Sequence, residues 1–169
     1  LKTNNKMIID YTGVVRSNLN DRDFADAYIP ANCKFFLGCT SGVYQFASIF
    51  DVPVASTNMI PYGECGRKDT DIFIVKKSCN KETKKILSIK KMIDLGMIGD
   101  WFTEEEILEF EKKDIEFEEN SPEEIKDLAE EMNARIDKNW ENNSDEEYLQ
   151  KRYREVTNIM CFDNTPFPG

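Results

Sequence analysis

Histidine is absent from the 169 residues of the chain. That excludes a Ser-His-Asp or Cys-His catalytic set, or a histidine-rich zinc site, supplied by this chain alone. No run approaches the ~18 consecutive apolar residues of a membrane-spanning helix. The opening residues lack the apolar core of a signal peptide. They also lack a starting methionine, so the chain is expected to begin inside a larger protein. Cysteine is scarce: five stand at positions 33, 39, 65, 79 and 161, an odd number with no C-x-x-C pair. That spacing indicates neither a zinc site nor a disulfide framework, and it fits a reducing, cytoplasmic compartment. No internal repeat and no low-complexity segment is visible.

Hydrophobic residues make up 40% and charged residues 32%, a balance that supports a folded core rather than disorder. The net charge is −10, which argues against a general nucleic-acid binder. The charge is unevenly spread. Residues 1–99 carry +4, residues 100–150 carry −15, and the remainder +1. An anionic ligand is therefore expected on the first part and not on the second. The acidic run itself reads as the solvated face of helices.

Apolar runs alternate with helical patterns along the first part. Residues 6–11, with Met7, Ile8 and Ile9, read as a short strand covered on both faces. A polar turn carrying Arg16 follows. Asp21 can cap a helix to about residue 32, with Phe24, Ala25, Tyr28 and Ile29 on one side and Pro30 ending or kinking it. Residues 33–38 read as a second strand and residues 43–50 as a buried helix ended by Asp51. Residues 52–58 read as a third strand, residues 71–76 as a fourth, and Ile115 to Phe117 as a fifth. Strand–helix–strand–helix–strand implies a parallel sheet with crossover helices, a Rossmann-like α/β fold with helices on both faces. The C-terminal part reads as a helical extension. Thr103…Glu106, Ser121…Glu124 and Ser144…Glu147 match the capping box. Ile125, Leu128, Ala129, Met132 and Ile136 form one apolar stripe; Leu149, Tyr153, Val156 and Met160 form another. These divide the chain into a main domain over residues 1–137 and a C-terminal helix with a loose tail over residues 138–169.

One stretch can carry chemistry: Phe36-Leu37-Gly38-Cys39-Thr40-Ser41-Gly42-Val43. It leads from a buried strand through small, hydroxylated residues into a helix. In open α/β sheets ligands bind at such carboxyl ends, and helix-start amides favour anions. Gly42 allows close approach, and Thr40 and Ser41 add hydroxyl donors. A pyrophosphate cradle at residues 40–43 is one reading; a tight structural turn capped by Ser41 is the other. The loop is neither G-x-x-x-x-G-K-S/T nor G-x-G-x-x-G. Arg16 and Lys76 fall where they could neutralise a phosphate, and Asn58 and Tyr62 where they could orient a base or sugar. For each, a surface or turn-capping role is the alternative. Asp21, Asp23 and Asp26 read as helix-start charges.

The run from Cys33 to Gly42, followed by Phe50-Asp51-Val52-Pro53-Val54 and Thr57-Asn58-Met59-Ile60-Pro61, resembles the donor-binding half of GT-B glycosyltransferases. In particular it is similar to a bacterial family acting on surface polysaccharide. Asp10-Tyr11…Arg16-Ser17, Asp71 to Lys76 and Asn120-Ser121-Pro122-Glu123-Glu124-Ile125 extend the resemblance over about residues 7–150. It implies half of a GT-B fold that holds a nucleotide-sugar donor as substrate. No cofactor is implied, and the leaving group would be stabilised electrostatically without a metal. It further implies a glycan or lipid-linked acceptor, an acceptor domain on the N-terminal side, and a catalytic base from that domain. The fragment alone is then expected to be inactive. The place of work would be the cytoplasm, at the inner face of the membrane. Two other readings stay open: a non-catalytic Rossmann-like interaction module, and another sugar-nucleotide enzyme such as an epimerase.

Overall fold

Three of the apolar runs become neighbouring parallel strands. β1 (Phe36–Gly38), β2 (Val54–Met59) and β3 (Ile72–Val75) hydrogen-bond in the order β1-β2-β3 in a computed structural model. The structure describes residues 4–15, 22–39, 41–60, 68–96 and 103–157. Asp71 ties the amino ends of β2 and β3 together: the backbone amides of Val54 (2.9 Å) and Lys68 (3.2 Å) donate to its carboxylate.

Successive residues of a strand face opposite sides, and here each side meets a different helix. Val54 and Phe36 join Ala47, Val52 and Tyr44 under α2 (Gly42–Ile49). The next residue, Ala55, joins Leu128 and Met132 of α5 (Pro122–Ile136), with Ile72, Ile74 and Ile136 around them. The chain is therefore α/β, a parallel sheet with helices on both faces in the Rossmann-like manner. A second sheet is antiparallel. β4 (Lys77–Asn80) follows β3 after one residue and pairs with β5 (Ile115–Glu118). α3 (Ile89–Asp94) buries Met92 against Ile115, with Phe117, Val75 and Leu87 beside them. α4 (Glu104–Glu111) precedes β5. α6 (Ser144–Thr157) sets the Tyr153 ring edge-on to Phe73 of β3, centroids 5.7 Å apart.

Local chemistry explains the helix ends. α2 stops in a Schellman turn: the Asp51 amide donates to Ser48 O and the Val52 amide to Ala47 O (2.9 Å), and Val52 packs on Ala47. Asp51 accepts the left-handed φ of 62° that glycine usually supplies there. α5 ends the same way at Lys138 (φ 58°). It begins in a complete capping box between Ser121 and Glu124, with Pro122 at the first position. The carboxylate of Glu124 is held below its usual range, first by Lys77 and then by the Ser121 amide.

Three expectations need correcting. Residues 6–11 form no strand. Met7 is 89% and Ile9 74% exposed, and a π-helical turn, Tyr11–Val15, follows. What fixes this segment is local polar bonding: the Asp10 carboxylate accepts the Gly13 amide (2.9 Å), and Tyr11 Oη donates to Asp26 on α1 (2.7 Å). The helix expected to be buried is half-solvated, and the expected apolar side of the helix before it lies largely in water. α1 (Arg22–Ala31) exposes Phe24, Tyr28 and Ile29, and α2 exposes Val43, Phe46 and Ile49. A three-stranded sheet has room for one side of α2 only, and α1 packs on α2 rather than on the sheet. The cap of α6 lies one residue earlier than expected. Asn143 Oδ1 accepts the amides of Asp145 and Glu146, and Glu146 Oε2 accepts the Asn143 amide. Asn143→Ala is therefore expected to cost about 1 kcal/mol in urea unfolding, whereas Ser144→Ala costs no more than a few tenths. The reverse order would restore Ser144 as the cap.

Candidate functional site

The candidate site is the carboxyl edge of the parallel sheet. β1 ends at Gly38, where an added Cβ would lie 2.8 Å from the Phe36 ring, so glycine is what lets that ring fold back along the strand. Exposed Cys39 follows, then Ser41 in extended conformation (φ −153°), then α2. Ser41 stands at the N-cap but its hydroxyl makes no cap bond. The starts of α3, α5 and α6 are each closed by a side chain, from Ser88, Ser121 and Asn143. Space beside Gly42 is open: an added Cβ would meet nothing within 4 Å. Val43 is exposed. Helix-start amides need acceptors from side chains, water or a ligand, and here the side chain that could serve does not.

The other end of this edge is built by β2, β3 and the approach to α5. A register shift in the β2–β3 pairing falls between Ser56 and Met59 and includes Asn58, whose φ is 55°. Asn58 and Asn120 lock together reciprocally. The Asn58 amide donates to Asn120 Oδ1 and the Asn120 amide to Asn58 Oδ1, both at 2.6 Å, while Asn120 Nδ2 donates to Val75 O at 2.9 Å. Lys76, directly after β3, pairs with the more exposed Glu119 carboxylate. Its backbone amide donates to Met59 O (3.2 Å).

So Ser41, Gly42, Val43, Asn58 and Lys76 share one edge, with β2 between the α2 start and Lys76. Two inter-strand steps, roughly 10 Å, separate β1 from β3. Arg16, Thr40, Tyr62, Asp21 and Cys65 lie outside the described residues. The side-chain oxygen of Asn58 is occupied by Asn120, leaving its amide nitrogen for other partners. Asn120 and Glu119 were not foreseen as members of this edge. Their signal is slight: a polar pair just ahead of the capping box Ser121…Glu124.

D-x-D spacing, which a metal-dependent transferase could use, occurs twice, at Asp21-Arg22-Asp23 and Asp69-Thr70-Asp71. Asp71 sits at the amino ends of the strands, on the side away from α2's start, with its carboxylate bonded to two backbone amides. Cys33, Cys39 and Cys79 are unoxidised thiols. Burial pushes the Cys33 thiol up, away from reactive thiolate. Among the described residues no helix is long and apolar enough to cross a membrane. No family model, curated protein or solved structure matches this chain.

Proposed function

We propose that the chain is the nucleotide-sugar-binding part of a glycosyltransferase that builds cell-surface polysaccharide or glycolipid. One observation carries the reading: the Ser41 hydroxyl makes no cap bond at the start of α2, at the carboxyl edge of β1 and beside an open Gly42. The donor diphosphate would sit on the amides of Gly42 and Val43, with the hydroxyls of Thr40 and Ser41 as further donors. Lys76, exchanging Glu119 for the ligand, and Arg16 would offset its charge, and the Asn58 amide would orient base or sugar. Departure of the nucleoside diphosphate would be favoured by these fixed dipoles and cations. The acceptor, a glycan or a lipid-linked sugar, and the general base would come with a further domain. The enzyme would work in the cytoplasm at the inner membrane face.

The test is an amide NMR titration with UDP-, GDP-, TDP- and CMP-sugars. Shifts in residues 41–43, 58 and 76 with one nucleotide are expected. Gly42→Val is expected to weaken binding at least tenfold while leaving thermal stability within about 0.5 kcal/mol, because the added side chain enters open space. Silence with every nucleotide, in a folded protein, overturns the reading and leaves an interaction module. Shifts confined to α5 or α6 do the same. An isomerised sugar nucleotide instead of a transferred sugar would point to an epimerase.

A further inference from the structure

We infer that the lysine-rich end of the antiparallel sheet docks the protein onto an anionic lipid bilayer. Segments 81–91 and 112–114 hold seven lysines against two acids, Glu82 and Asp114, in a chain of net charge −10. Tertiary structure brings the two segments together. Asn80 pairs with Ile115, and the Lys81 amide donates to Asp114 O at 2.7 Å, so both turns close the same end of β4 and β5. Lys113 Nζ donates to Leu95 O (3.2 Å), which adds the α3 segment with Lys90 and Lys91. The turns are tight, with Lys84 and Asp114 both at φ 55°. They hold their lysines outward: Lys81, Lys84, Lys85, Lys91 and Lys113 are all exposed.

Some of this charge is offset locally. Lys84 pairs with Glu116, Lys90 with Asp94 and Lys112 with Glu109. These are surface pairs in water, weak enough for an anionic surface to compete with them. Glu109 of α4, which runs directly into Lys112, stands at the margin of the patch and lowers its field.

The chemistry of the patch selects lipid over nucleic acid. Both segments lack arginine and aromatic residues, so there is no bidentate phosphate fork and no platform for base stacking. Instead an apolar side chain stands among the lysines. Ile86 is 67% exposed next to Lys85. Its partner across the bridge is Cys79, so it points away from the core formed by Ile115, Phe117 and Leu87. Leu108, whose carbonyl accepts the Lys112 amide, is exposed as well. Lysines that reach head groups around an apolar contact suit an interface. The inference rests on the membrane-face placement proposed above, not on the donor reading.

Co-sedimentation of the chain with phosphatidylcholine vesicles, with and without phosphatidylglycerol, tests it. Binding is expected only with the anionic lipid, and it should fall as salt rises. Lys85→Gln/Lys91→Gln should lower partitioning roughly 25-fold, at about fivefold per lysine. Ile86→Ser should lower it roughly tenfold through lost apolar burial. All three side chains are exposed, and unchanged far-UV circular dichroism would show the fold intact. No binding, equal binding to the neutral vesicles, or unaltered binding by the double variant overturns the inference. So does tighter binding to single-stranded RNA than to the vesicles. The double variant should keep its nucleotide-sugar shifts. Loss of those shifts in the wild type, with vesicle binding retained, would defeat the donor reading alone.

Discussion

Asn120→Ala is expected to destabilise the chain by about 3 kcal/mol. Asn120 is buried and bridges three segments: the end of β2 through Asn58, the end of β3 through Val75, and the entry to α5. Alanine keeps the backbone amide that donates to Asn58 Oδ1 but removes the carboxamide. The Asn58 amide and Val75 O then lose their partners, and each unsatisfied buried group costs about 1–3 kcal/mol. Asn58 also loses one of the two bonds that hold its left-handed backbone, a conformation non-glycine residues adopt at a cost. Urea unfolding should show a lower midpoint at unchanged slope. Asn120→Asp keeps an acceptor for the Asn58 amide and loses the donor to Val75 O, so it also destabilises. A loss below about 1 kcal/mol for the alanine variant would mean that water replaces the carboxamide and that the lock is incidental. Because Lys76 and Glu119 adjoin this bridge, a real loss would also loosen the candidate ligand edge. Amide shifts at Lys76 in the variant would report it.

The second large effect belongs to the face under α5. Met132 is fully buried, packed with Ala55 and Leu128 and ringed by Ile72, Ile74 and Ile136. Met132→Ala removes three heavy atoms from that packing and leaves a cavity, at an expected cost of about 2–5 kcal/mol. Leu149→Ala is the control: Leu149 is largely exposed on α6, and the expected change is within about 0.5 kcal/mol. If the two variants unfold at the same denaturant concentration, α5 is not docked on β2 and β3. The comparison also tests the apolar stripe as a marker of docking, because both residues belong to stripes of similar spacing.

Those stripes show where sequence reading succeeds. Leu128 and Met132, one turn apart behind a Ser-Pro-Glu-Glu start, identify both the helix and its buried side. A capping box and a 3.6-residue period are local, and the structure keeps them. The three parallel strands were legible for a related reason, since Val54, Ala55, Ile72 and Ile74 are apolar on both faces. At Ser144 the local signal was ambiguous. The capping-box match at Ser144 fell one residue late, because the amide oxygen of the preceding Asn143 reaches two amides of the first turn.

Elsewhere the pattern reported a tendency without naming a partner. Met7, Ile8 and Ile9 have the composition of a buried strand but pair with none in the described residues, and they lie in water. β4, Lys77-Ser78-Cys79-Asn80, has the composition of a loop. It is nonetheless a strand, with Ser78 buried, because β5 and the bridge at Ile86 supply hydrogen bonds on its two sides.

By itself the sequence determined the α/β class, the three parallel strands, the two faces of the sheet and the position of the Ser41–Gly42 turn at its carboxyl edge. Hydrophobic period, capping residues and turn residues act over a few positions, so a linear reading captures them. Only the tertiary structure decided that Asn120 locks to Asn58 and that Lys76 meets Glu119. It also decided that the lysines of two distant turns share one end of the antiparallel sheet. Each of these depends on which backbone groups remain unpaired once the strands have found their neighbours, and on polar or charged groups 43 to 62 residues apart in some pairs being brought within bonding distance.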